Sequence, residues 1–340
     1  MIALNAVVSF FLNFSKGVGQ LKLFTLSGVI FALLNALLNI WFLKFIELSV
    51  LGYVYANIIS ALLTILLMFI IGRYYQYVDM SNLSLTTTTA MLRYSIPLIP
   101  NAFAWWFTTD ASRFFILLFL GAAQNGLYAV ATKIPAMLTL LFSVFNQAWQ
   151  ISAIEEEASA DRDDYYSNMY NSLISLSFVG ITVISALAPL IMHYFVNQTY
   201  YDSWKLVPLL LLASTFSNIS GLLGSTYIVF KRTRGIFWTT IIGMVLNALF
   251  CLLLIPTVGL NGAGLASSIG FFLVMIIRIY DLKKLINIKI NFLILINNIC
   301  TFILLTISLI SSISNIVSVI LFSYMLISNV VFVLKNKRSF

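Results

Sequence analysis

Three charged residues stand inside apolar stretches of this chain, and they are the ones whose types and spacing suit chemistry: Asp110, Arg113 and Lys133. A charge at the centre of a membrane helix costs roughly 2.5–3.5 kcal/mol on insertion scales, and such residues normally face a partner or water. Trp106, Asp110 and Arg113 follow one another at steps of four and three, so a helix carries them on one face. One carboxylate against two cations leaves a net positive charge. A planar guanidinium suits bidentate contact with phosphate, and an ammonium acts as a point charge. The constellation therefore fits a cationic cavity for a diphosphate or an acidic sugar. It also fits a structural Asp110–Arg113 ion pair between helices, with Lys133 snorkelling outward. No nucleophile motif, phosphate-binding loop or metal-ligand spacing accompanies it. His193 is the single histidine, and the two cysteines, Cys251 and Cys300, both fall in apolar runs. An enzyme is not expected, nor a metal or cofactor.

The elements that must position these residues follow from composition. The 340 residues are 61% hydrophobic and 9% charged, with a mean hydropathy of +1.00. Soluble domains carry about 25% charged residues, so the class is a polytopic membrane protein. The apolar runs are continuous over ~20 residues, which selects helices over a β-barrel. Ten spans are expected: 24–43, 49–71, 92–120, 125–150, 168–194, 206–230, 236–255, 259–280, 291–311 and 314–334. The run 2–14 reads either as a surface-lying helix or as the second half of a membrane helix.

Helices 92–120 and 125–150 are expected to join through a Gly/Asn turn at Gly121–Gly126. Arg113 lies about eight residues before that turn and Lys133 about eight into the following helix, which puts both cations on the order of 12 Å from the outer end. With Ser15–Lys22 placed in the cytoplasm and each span changing side, fifteen of the nineteen basic residues fall in cytoplasmic loops, Arg278 counted among them. Such a bias sets orientation and places the C-terminus in the cytoplasm. The net charge of +8 thus marks loops rather than a nucleic-acid surface. The acidic segments Glu155–Glu157 and Asp161–Asp164 read as a solvated cytoplasmic loop, and Trp149 reads as an interface anchor.

Periodicity adds a wall. Thr132, Ala136, Thr139, Ser143, Asn146 and Gln150 alternate steps of four and three, giving one small and polar helix face. Asn146 and Gln150 favour a water-lined face. The stripes Asn168, Ser172, Ser175, Thr182 and Ser214, Asn218, Gly221, Ser225 are equally explained by close helix packing. An internal repeat is also visible. Asn35-Ala36-Leu37-Leu38 leads to Gly52 and Ala56, and Asn247-Ala248-Leu249-Phe250 leads to Gly262 and Ala266. Both copies run outward first, so they are parallel, as in transporters built from two halves.

The strings RYSIPLIPNAFAWW (93–106) and KIPAMLTLLFSVFNQAWQISAIEE (133–156) resemble the central region of Wzx-type oligosaccharide flippases, the polysaccharide transporters of the multidrug/oligosaccharidyl-lipid/polysaccharide (MOP) superfamily. The resemblance implies an all-α, MATE-like bundle of two lobes around a central cavity, with an incomplete N-lobe apparently lacking its first three helices. It implies residues 1–75 as the remnant of the N-terminal lobe, 76–91 as a cytoplasmic linker, 92–284 as a six-helix C-terminal lobe, and 285–340 as two additional helices with a cytoplasmic tail. Relatives often carry Asp immediately before the Arg of helix 92–120. Here that place is Ser112, and Asp110 lies two residues earlier.

The implied function is translocation of undecaprenyl-diphosphate-linked oligosaccharide repeat units across the cytoplasmic membrane, by alternating access, for capsule, exopolysaccharide or O-antigen. Arg113 and Lys133 are expected to hold the diphosphate, Asp110 to orient Arg113, and Trp106, Asn146 and Gln150 to face the sugars. Membrane lipids, a polysaccharide polymerase and chain-length machinery are the implied partners, and nucleic acid is not. The rivals are a multidrug or cation antiporter of the same superfamily, a polysaccharide polymerase or ligase, and a non-functional remnant.

Overall fold

The structure, a computed structural model, describes residues 2–77, 84–96, 98–155, 159, 161–311 and 315–337. Among them the chain forms twelve α-helices and no strand, as the continuous apolar runs require. It divides into two compact units, Met1–Ala90 and Met91–Phe340.

In the first unit, α1 (Ile2–Gly17) packs against α2 (Leu21–Ile40) and α3 (Ser49–Ile71). The apolar run at 2–14 is thus a helix that continues to Gly17. The Ser15 and Tyr74 hydroxyls bond to each other, and Phe11 stacks on Tyr74 at 5.6 Å. A π-helical turn, Trp41–Phe45, extends α2. The short helix α4 (Leu85–Ser95) is rich in threonine and largely exposed. It occupies the segment expected to begin a span at 92. The spanning helix begins at Leu98 instead, because Ile96 precedes a proline and that position disfavours helical backbone.

The second unit is built on α8 (Val207–Val229), α9 (Thr233–Val258) and α10 (Leu260–Leu282), which pack on one another. Helix α5 (Leu98–Ala131) lies on α9 and α10, α6 (Lys133–Glu155) on α8, and α7 (Arg162–Phe195) on α8. Helices α11 (Phe292–Ser311) and α12 (Asn315–Lys337) pack on α7. A molecular zipper leads into α11. Asp163, Ser167 and Asn171 accept backbone N–H groups from Asn287, Lys289 and Asn291 at 3.2, 2.9 and 2.8 Å. Four helical residues rise ~6 Å and two extended residues ~6.6 Å, so each helical turn meets every second donor. Asn298 and Asn329 then lock α11 to α12 by reciprocal amide bonds of 2.8 and 2.9 Å.

Nine segments among the described residues are long and apolar enough to cross a membrane, and the chain is a multi-pass membrane protein. The expected tenth, α6, is long enough at 23 residues, but its polar face lowers its hydropathy. Trp149, expected at an interface, is instead 3% exposed and packs edge-on against Tyr166 at 4.9 Å.

The two repeat copies pack alike within their own units. Asn35 donates to Ser60 at 3.2 Å across α2 and α3. Asn247 lies against Gly270, where a Cβ would meet its Nδ2 at 3.1 Å, across α9 and α10. A Cβ on Gly52 would press on Phe42 at 3.1 Å, and one on Gly262 would collide with the Leu254 carbonyl. Ala56 and Ala266 are both fully buried. The shared Asn, Gly and Ala therefore mark the same contacts in both helix pairs.

Candidate functional site

Gly121 determines where the charges go. Its φ of 84° and ψ of 178° break α5, a conformation essentially restricted to glycine. The chain turns back there, and Asn125 and Gly126 are already helical. The turn is thus at Gly121 alone, not spread over Gly121–Gly126. The returning arm runs to Ala131, and after a break at Thr132, α6 opens with Lys133. Lys133 is therefore the first residue of α6 rather than eight residues inside a helix. The level still matches, because Arg113 Nη2 donates to Thr132 Oγ1 at 3.3 Å.

These residues edge a cavity of about 580 Å³ lined by α5, α6, α8 and α10, all within the second unit. Asp110, Arg113 and Lys133 contribute to its wall. Asp110 Oδ1 lies 3.8 Å from Arg113 Nε, with the two side chains 39% and 48% exposed. The ion pair is thus one turn of a single helix and open, not buried between helices. Such pairs contribute ~0–1 kcal/mol. Lys133 makes no ion pair among the described residues. Ser112, beside Arg113, turns the other way, bonding Ser267 at 3.0 Å and touching Cys251 Sγ at 3.5 Å. The helix thus presents its carboxylate to the cavity from position 110 while 112 packs on α9 and α10.

The polar stripe of α6 faces this space. Thr132, Ala136, Thr139, Ser143 and Asn146 line it, whereas Gln150, one turn further on, does not. Asn146 Oδ1 is buried and has no hydrogen-bond partner among the described residues. Opposite, α8 supplies Ser214, Asn218 and Gly221, and Asn218 Nδ2 donates to Thr139 Oγ1 at 3.4 Å. Ser225, the last of that stripe, is buried with its hydroxyl on the Leu222 carbonyl. The stripe of α7 lies outside the cavity lining, and its Ser175 and Thr182 are buried in packing.

Trp106 is 58% exposed and takes no part in the cavity wall, which Trp105 enters instead. The reason is the packing of α5 on α10: Trp105 meets Phe271 at 5.6 Å, and one residue along a helix turns the next side chain ~100° away. Arg278 is also displaced from its expected loop. It is 1% exposed within α10. Sequence reasoning passed over Trp105, Ser217, Ser267 and Phe271, all of which line the cavity. The adjacent tryptophans were the available signal, and only the phase of α5 decides between them.

Residues 1–150 match the family model of polysaccharide biosynthesis proteins. That stretch includes Asp110, Arg113, Lys133 and Asn146. No curated protein matches the chain. Among solved structures it is similar to a crystal structure of a MATE mutant, with a TM-score of 0.70 and 15% identity over 81% of this chain and 64% of that one. It is similar to the lipid II flippase MurJ in an inward closed conformation, with a TM-score of 0.61 and 12% identity over 90% of this chain and 68% of that one. A Vibrio cholerae MATE transporter, VcmN, in mutant form gives a TM-score of 0.68 and 12% identity over 82% and 66%. The fold is a MATE- and MurJ-like helical bundle. The chain spans 64% of the first of these structures.

Proposed function

We propose that the chain acts in translocating an undecaprenyl-diphosphate-linked oligosaccharide across the cytoplasmic membrane, by alternating access and without making or breaking a bond. The observation that carries this reading is the charge of the cavity: one carboxylate, Asp110, against Arg113 and Lys133, beside the unsatisfied carbonyl oxygen of Asn146. Arg113 and Lys133 hold the diphosphate, with Asp110 and Thr132 orienting the guanidinium. The hydroxyls and amides of α6 and α8 meet the sugars, and the polyprenyl tail stays in lipid. The excess of basic residues in alternate loops supports a cytoplasmic C-terminus, with 92–284 serving as the C-terminal lobe. The likeness to a lipid II flippase supports the same class of cargo. A polymerase and chain-length machinery follow as partners downstream of such a carrier.

The antiporter reading draws on the likeness to MATE transporters and needs an acid that binds cations. Asp110 sits 3.8 Å from Arg113 and shares the cavity wall with Lys133 as well, so the local charge is net positive and the cationic-cavity reading is preferred. The test is complementation of a strain deleted for its flippase. Surface polysaccharide is expected to return with the unmutated chain and not with Arg113→Ala at equal membrane abundance. Failure of the unmutated chain, or equal rescue by Arg113→Ala, overturns the proposal.

A further inference from the structure

Trp105 is held on three sides and also lines the cavity. Phe271 meets its ring at 5.6 Å and 56°. Gly221 of α8 faces it on a second side, where an added Cβ would stand 4.0 Å from Trp105 Cζ2, at ordinary contact distance. The third side is a cation. The Arg278 guanidinium carbon lies over the ring, 5.4 Å from its centroid.

Arg278 is built in. Nε donates to Thr239 Oγ1 at 3.1 Å, Nη1 to the Ser220 carbonyl at 2.5 Å and Nη2 to Thr240 Oγ1 at 2.8 Å. Thr240 in turn donates to Asn101 Oδ1 at 2.5 Å, which ties the site back to α5. Gly224 leaves the room, because a Cβ there would come within 2.8 Å of Nη1. No carboxylate among the described residues pairs with Arg278. Burying a cation without a counter-ion costs several kcal/mol, and an apolar side chain would fill the space without that cost. The π face of Trp105 is the negative surface it does meet.

We infer that Trp105 is the platform on which a sugar ring of the lipid-linked substrate stacks, and that Arg278 is the positioning residue that fixes the indole. The inference rests on the flippase reading above. A sugar presents C–H groups of slight positive charge to the negative face of an aromatic ring, and its hydroxyls find Ser217, Asn218 and Asn146 around the same cavity. A cationic aromatic drug is the other natural ligand for a tryptophan face. Here Arg278 behind the ring and Arg113 and Lys133 in the wall repel it, so the platform selects a neutral ring.

The test measures affinity of the purified full chain, by native mass spectrometry, for undecaprenyl diphosphate and for the same lipid carrying one hexose. The unmutated chain should bind the glycosylated lipid about tenfold more tightly, a difference near 1.4 kcal/mol. Trp105→Ala should abolish that increment, read as the ratio of the two affinities within the one variant, and Trp105→Phe should keep most of it. Arg278→Met should reduce it and shift the fluorescence attributable to Trp105, taken as the difference from Trp105→Phe. An increment that survives Trp105→Ala overturns the platform while leaving the flippase reading intact. Failure of the unmutated chain to bind either lipid overturns both. If Arg278→Met does not fold, the Trp105 variants decide alone.

Discussion

Arg113 and Thr132 meet at 3.3 Å although nineteen residues separate them. A straight helix would hold them roughly 28 Å apart at 1.5 Å per residue. The reversal at Gly121 closes that distance and brings Lys133, the next residue after Thr132, into the same cavity wall. Two cations are thereby brought to one cavity by a single backbone conformation.

Gly121 is accordingly the position least able to accept a side chain. With φ at 84° and ψ at 178°, Gly121→Ala should cost ~1–3 kcal/mol. The neighbouring Gly126 is helical, so Gly126→Ala should be neutral or slightly stabilising. Thermal unfolding of the two variants in detergent checks this, with a lower midpoint expected for Gly121→Ala alone.

Asp110 separates the two transporter readings. Its ion pair is half-exposed, so Asp110→Asn should leave the fold intact, and the change in affinity is at most about fivefold. That change should be an increase in affinity for undecaprenyl diphosphate, because a competing carboxylate is removed. Loss of cation or drug transport in the same variant, with no change in lipid binding, would support the antiporter instead.

The cavity's sign is measurable by itself. With Cys251 and Cys300 replaced by alanine, Asn146→Cys should react faster with an anionic thiosulfonate than with a cationic one, by on the order of tenfold. Gln150→Cys lies outside the cavity wall and should show no such preference.

The repeat makes a paired prediction. Gly262→Val drives a side chain into the Leu254 carbonyl, and Gly52→Val into Phe42 and Leu48. Overpacking of this kind costs ~1–3 kcal/mol. Both variants should lower the unfolding midpoint, Gly262→Val more strongly, because there the obstacle is backbone and cannot rotate away.

Much of this arrangement was legible in the sequence, for identifiable reasons. Charges in an apolar setting announce themselves, so Asp110, Arg113 and Lys133 stood out. The stripe from Thr132 to Asn146 was readable because one helix face repeats every 3.6 residues. Its end was not, since only the length of the cavity excludes Gln150. The choice between Trp105 and Trp106 depends on which side of α5 meets Phe271, a tertiary contact with no local signature. Arg278 read as a loop cation because it lies close to Lys283 and Lys284. Its burial depends on Gly224 and Thr239, residues on two other helices. Helix α4 escaped notice because Thr86–Thr89 carry no apolar period, and the single-residue turn at Gly121 was blurred by Asn125 and Gly126, which look like turn residues yet are helical.

The central claim is that the cavity binds a lipid diphosphate through Arg113 and Lys133. The most direct measurement is the equilibrium affinity of the purified chain for undecaprenyl diphosphate, compared with the double variant Arg113→Ala, Lys133→Ala. Hydrogen bonds to charged groups contribute ~1.5–3 kcal/mol each, so the double variant should bind at least about a hundredfold more weakly, with added salt weakening the unmutated chain toward the same value. Equal affinity of the two proteins, or tighter binding of an organic cation than of the diphosphate, would contradict the account.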